Sequence, residues 1–166
     1  MSNLRRYNLP DYSYFVTNVT FERGPVLVDN ADLFTAALDS VGSKVKFDVA
    51  AWVLIPDHFH MIVNPGDCDL SGLMQRIKQS FSMNYRKRHS LGGRIWQLRF
   101  WDHLIRNDVD LARHVDYIHY NRVKHGHAHS PREYKHSSFP EYLRNGHYGT
   151  DWGSVEPVDM PKEVGE

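Results

Sequence analysis

The apolar positions of this chain change period several times, and each change marks an element. YSYFVTNVTF (12–21) is crowded with aromatic and β-branched residues and predicts a strand. Leu33, Phe34, Ala37, Leu38 and Val41 then recur at helical spacing, with Asn30 or Asp29 placed to cap. FDVAAWVLI (47–55) predicts a second strand, Pro56-Asp57 a tight turn, and HFHMIVNP (58–65) a third strand that pairs antiparallel with the second. Leu70, Leu73, Met74, Ile77 and Phe81 form the stripe of an amphipathic helix capped by Asp69 or Ser71. After a flexible SLGGR (90–94), IWQLRFWDHLI (95–105) predicts a fourth strand. Asp108 is placed to cap a last helix that ends at Gly126.

The order β-α-β-β-α-β-α contains the ferredoxin-like plan, an α+β fold with an RRM-like antiparallel sheet and helices packed on one face. The other face is then expected to be open to a ligand, with one further, C-terminal helix. Residues 1–150 are expected to form one domain and 151–166 an acidic C-terminal tail.

The chain has 166 residues, 20 Lys/Arg and 20 Asp/Glu, so its net charge is zero. The charge is not spread evenly. Residues 74–107 carry eight Lys/Arg against one Asp, whereas 151–166 carry one Lys against five Asp/Glu. A basic block in a neutral chain is the footprint of a polyanion partner. The split also suggests that residues 151–166 fold back on the basic block and compete with that partner. A single cysteine, Cys68, excludes an intramolecular disulfide and a multi-cysteine zinc site. No apolar run is long enough to span a membrane, and MSNLRRYNLP (1–10) lacks a signal-type apolar core. These features predict a soluble, cytoplasmic protein.

His58 and His60 in LIPDHFHMIV (54–63) are two apart on a strand and therefore share a face, opposite Phe59, Met61 and Val63. Such a pair suits a metal, a phosphate or a shared proton; it also suits a solvated sheet face. Tyr117 and Asn121 are four apart and stack on one flank of the last helix, beside Leu111, Val115 and Ile118. Packing alone would account for a tyrosine there.

Taken together, DHFHMIV, WQLRFWDHLIRN and HVDYIHYNRVKHG, in this order and spacing, resemble the single-tyrosine HUH (IS200-like) transposases. The likeness is strongest to the REP-associated tyrosine transposases, which act at repetitive extragenic palindromes in bacteria. It runs from about residue 5 to residue 152. The resemblance implies that His58, His60 and Asn121 bind a divalent metal, Mg2+ or Mn2+, and that Tyr117 is the nucleophile. It implies cleavage and rejoining of single-stranded DNA at palindromic hairpins through a 5′-phosphotyrosine, by a monomer rather than a dimer, in the bacterial cytoplasm at the nucleoid. Relatives often read YNPVK where this chain has Arg122, a position with no expected catalytic role. Tyr120 matches no catalytic position.

Arg76, Lys78, Arg86, Lys87, Arg88, Arg94 and Arg99 are candidates to neutralise phosphates, and Trp101 and His103 to contact DNA. Trp96 and Phe100 join Trp101 as candidates to stack on unpaired bases, although part of this aromatic set is expected in the core. The run His125, His127, His129 reads as a solvated loop face. Two other readings predict different behaviour. A non-catalytic binder of single strands or hairpins would survive loss of Tyr117 and of metal. A metal-dependent hydrolase would ignore Tyr117.

Overall fold

The computed structural model describes residues 12–166; the N-terminal stretch read above for a signal sequence lies outside them. The elements are β1 (Tyr14–Val19), α1 (Ala31–Gly42), β2 (Asp48–Ile55), β3 (His58–Asn64), α2 (Leu70–His89), β4 (Trp101–Leu104), α3 (Asp108–Lys124) and a short α4 (Phe139–Arg144). The strands form one antiparallel sheet in the order β2-β3-β1-β4. The predicted hairpin is present, with Ile55 opposite His58 across the Pro56-Asp57 turn. Asp69 caps α2 by accepting from the Gly72 amide at 2.8 Å. Asn30 stands at the start of α1, but its amide bonds the Val26 carbonyl and accepts from Arg88 instead of capping.

Alternation along the strands builds two cores. Tyr14, Val16, Phe59, Met61 and Val63 face α1 and α2. Phe15, Val53, Ile55 and Ile62 face the other way, and that side is not open: α3 lies against it through Val115, Tyr117 and Ile118. The expected free sheet face is thus covered. Seven positions of α3 are buried, among them His114, His119 and Asn121, which read as polar in the sequence. Such residues go inside because each finds a polar partner. His119 has Nε2 2.8 Å from the Ser138 hydroxyl and Nδ1 2.9 Å from the Tyr148 hydroxyl, which donates to Asp116.

Two boundaries differ from expectation. β4 covers only residues 101–104 of the predicted 95–105. Before it, single bonds from Phe21 N to Ile95 O and from Gln97 N to Val19 O tie the chain to the end of β1 without a continuous ladder. Asn107, not Asp108, caps α3, accepting from the Asp110 amide at 2.9 Å. Residues 134–138 run beside β2, with Leu54 N donating to His136 O and Ser138 N to Trp52 O, and so cover a sheet edge.

Burial lowers the His119 pKa from 6.5 to about 3. Between these values the unfolded ring binds a proton that the folded ring refuses. Stability is therefore lost as pH falls below 6.5, at about 1.4 kcal/mol per pH unit from this group. Urea midpoints at pH 7 and pH 5 are expected to fall further apart in the wild type than in His119→Gln. Equal separations would refute this role.

Candidate active site

β3 delivers His58 and His60 to the α3 side of the sheet, and both are buried. They are not a solvated pair. α3 presents Tyr117 and Asn121 to the same point, and neither has any exposed surface. The His58 and His60 rings lie edge to face with centroids 4.9 Å apart, and the His60 and Tyr117 rings are 5.5 Å apart. All four residues converge within one chain.

Each histidine is oriented from behind. His58 Nδ1 is 2.7 Å from a carboxylate oxygen of Asp57, which is also held by Arg23 at 3.0 Å. Despite the cost of burying it, these two partners hold the Asp57 carboxyl below its ordinary range. His60 Nδ1 is 2.8 Å from the Thr17 hydroxyl, which donates to the Val164 carbonyl. The other ring nitrogen, Nε2, is thereby turned to the centre of the site. Burial lowers the His60 pKa to about 4, so the ring is neutral near pH 7.

Two buried polar atoms here have no hydrogen-bond partner, His58 Nε2 and Asn121 Oδ1. Buried polar atoms are rarely left this way. Two imidazole nitrogens and an amide oxygen, all able to offer lone pairs at one point, fit a divalent cation.

The centre also holds a residue that no local pattern in the sequence indicated. The Glu166 carboxylate is 2.9 Å from His60 Nε2, accepts from Asn121 Nδ2 at 3.1 Å and accepts from the Tyr117 hydroxyl. Its second oxygen is 3.1 Å from His125 Nε2. Burial raises the Glu166 pKa, but His58, with Nε2 3.8 Å away, His60 and Tyr117 outweigh it and hold the carboxyl far below the usual carboxylate range. Burial and the adjacent carboxylate push Tyr117 well above its ordinary value. Lys124, with Nζ 4.7 Å from the centre of the Tyr117 ring, is the cation facing it. His125, read from sequence as part of a solvated face, lines the mouth of the site together with His127.

Residues 151–166 do fold back, but onto the α3 side of the sheet and not onto the basic block. Met160 and Val164 pack on the α3-side core. Gly165 has φ 72° and lies so close to Trp101 that a Cβ there would overlap the indole. Trp101 is thereby covered by this segment, and His103 faces Asp110 of α3 at 2.9 Å.

The basic residues lie elsewhere. Lys78, Arg86, Arg94 and Arg99 line a groove of about 540 Å³ between α2 and residues 94–100. Arg76 lies in a neighbouring groove between α1 and α2, Lys87 is exposed, and the Arg88 guanidinium forks onto Asp32 at 2.9 and 2.5 Å. Trp96 and Phe100 are core residues, not stacking platforms. Gln97 in the groove lining bonds Val19, and Val19 pairs in register with His58 of the site.

The family model for IS200-like transposases matches residues 8–121. The chain is 36% identical over 156 residues to a REP-associated tyrosine transposase of Escherichia coli (strain K12), an alignment covering 92% of this chain and 91% of that one. It also resembles the solved structure of a REP-associated tyrosine transposase bound to a REP hairpin, with TM-score 0.85 and 33% identity, covering 100% of this chain and 98% of the other.

Proposed function

Because the chain belongs to the IS200-like transposase family, and within it to the REP-associated tyrosine transposases, we propose that it cleaves and rejoins single-stranded DNA at palindromic hairpin repeats, using Tyr117 as nucleophile and a divalent metal held by His58, His60 and Asn121. The observation that carries this reading is the set of unpartnered donors, His58 Nε2 and Asn121 Oδ1, around the Tyr117 hydroxyl. The binding-module alternative needs an open sheet face, and α3 covers it.

Tyr117 Oη attacks the phosphorus of the scissile diester, forming a P–O bond to tyrosine while the bond to the 3′ oxygen breaks. The products are a 5′-phosphotyrosine and a free 3′-hydroxyl. A 3′-hydroxyl from another strand reverses the step, so joining needs no nucleotide hydrolysis. A divalent cation held by His58, His60 and Asn121 would supply Lewis-acid polarisation of the phosphodiester. Mg2+ and Mn2+ both serve such chemistry, and the two imidazoles favour Mn2+. Asp57 and Thr17 act as positioning residues by fixing the two rings. Convergence of the site within one chain supports a monomer.

Cleavage of a hairpin-bearing oligonucleotide is expected to require added Mn2+ or Mg2+ and to be lost in EDTA. Turnover in EDTA would overturn the metal assignment. In the groove, Arg94→Ala or Arg99→Ala is expected to weaken hairpin binding across sequences. Each should reduce the slope of log affinity against log salt by roughly 0.7 to 0.9 for every phosphate it no longer neutralises. Unchanged salt slopes would place the DNA elsewhere.

A further inference from the structure

A second group of ligand-type side chains lies outside the candidate active site. His103 projects from β4, and Asp110 and His114 are one turn apart on α3. His103 Nε2 is 2.9 Å from Asp110 Oδ2, and His114 Nδ1 is 3.2 Å from Asp110 Oδ1. The two rings stack with centroids 4.6 Å apart and planes 18° apart, and the three ligand atoms lie within 4.8 Å of one another. Phe15 separates this group from the first, with its ring 5.0 Å from that of His114 and 5.3 Å from that of His60.

We propose that His103, Asp110 and His114 form a second metal site, selective for Zn2+ or a similar late first-row cation and distinct from the site of His58, His60 and Asn121. Zn2+ takes imidazole and carboxylate ligands at about 2.0–2.2 Å, which places neighbouring tetrahedral ligands about 3.3 Å apart. Each imidazole nitrogen already stands near that spacing from an Asp110 oxygen, His103 at 2.9 Å from Oδ2 and His114 at 3.2 Å from Oδ1, so a small rotation of the carboxylate would bring the three ligand atoms around one cation. The set has one open side, a cleft of about 400 Å³ whose lining includes Asp159 and Glu163. Those carboxylates add negative charge where the cation would enter, against Arg106 and Arg113.

The proton balance is undemanding. His114 Nδ1 now donates to the Asp110 carbonyl at 2.8 Å. On binding, the His114 proton moves from Nδ1 to Nε2, and His103 binds through Nε2 with its proton on Nδ1. Asp110 also accepts from the Arg106 amide at 3.0 Å, which anchors the carboxylate at the start of the helix. Two imidazoles and one carboxylate are a donor set for Zn2+ and its neighbours, not for Mg2+ or Ca2+.

The test is titration of the full chain with Zn2+, and with Co2+ as a coloured substitute, in a His58→Ala, Asn121→Ala background that disables the first site. One equivalent of Zn2+ is expected to bind, with the visible absorption of a low-symmetry Co2+ complex. His103→Gln or Asp110→Asn in that background should weaken binding at least about 10-fold. Imidazole NMR signals of His103 and His114 should shift with Zn2+ in the unmutated chain, a readout that does not depend on the variants folding. No Zn2+ binding in the background protein, binding indifferent to His103, or unshifted His103 and His114 signals would each overturn the proposal.

Discussion

Tyr117→Phe is expected to lower single-turnover cleavage of a hairpin substrate by a factor on the order of 10⁴ or more, as loss of a nucleophile does. The phenyl ring is retained, so its packing against Phe15 and His60 is retained as well. What disappears is one hydroxyl that donates to Glu166 and accepts a long bond from Asn121 at 3.4 Å. That loss costs about 1.5–3 kcal/mol of stability, the range for a bond to a charged group. A cooperative thermal melt well above the assay temperature, together with absent cleavage, separates chemistry from unfolding. Tyr120→Phe is the matched control. Tyr120 lies on the same helix but turns toward Trp152, with ring centroids 6.4 Å apart. It should stay within a few-fold of wild type. Comparable cleavage by Tyr117→Phe, or loss in Tyr120→Phe alone, would move the nucleophile.

Truncation after Thr150 is expected to raise cleavage by about 10- to 100-fold. In the folded chain the Glu166 carboxylate sits among His60, Tyr117 and Asn121 and takes the Tyr117 proton in a hydrogen bond. Both effects oppose reaction: the phosphate has no room, and the phenol is held further from ionisation. Charged hydrogen bonds of this kind contribute about 1.5–3 kcal/mol, a factor of roughly 10 to 100 in the population of the open site. Gly165→Ala is a gentler version. Its Cβ would overlap Trp101 and lift the segment without removing any acid. Equal rates for the full chain, the truncation and Gly165→Ala would mean that the segment leaves the site before DNA binds, at no measurable cost.

The elements were legible where one face of each is apolar. Phe59, Met61 and Val63 announce β3, and the stripe from Leu70 to Phe81 announces α2. β4 was overdrawn because Trp96 and Phe100 are buried side chains on a segment that lacks a continuous ladder; burial alternates there without a strand. The position of α3 was not legible. His114, His119 and Asn121 look solvated in sequence and are buried through partners supplied by distant segments, such as Ser138 and Tyr148 for His119. The histidine pair and the tyrosine–asparagine pair were found from spacing within single elements and from family resemblance. Thr17, Asp57, His125 and Glu166 were missed for a common reason. Their roles arise from contacts between elements, and the Glu166 contacts with His60 and Tyr117 span 106 and 49 residues. Only Asp57 left a local trace, as the residue directly before the histidine motif.

Whether Tyr117 carries the DNA is decided by the chemical identity of the cleaved product. The truncated protein would be incubated with Mn2+ and a hairpin oligonucleotide labelled on the 3′ side of the cleavage point, denatured, digested with trypsin and analysed by mass spectrometry. The expected product is a labelled covalent adduct whose peptide carries the DNA 5′-phosphate on Tyr117, absent in Tyr117→Phe and in EDTA. Cleavage that releases both DNA ends free of protein, or an adduct on any other residue, would contradict the assignment.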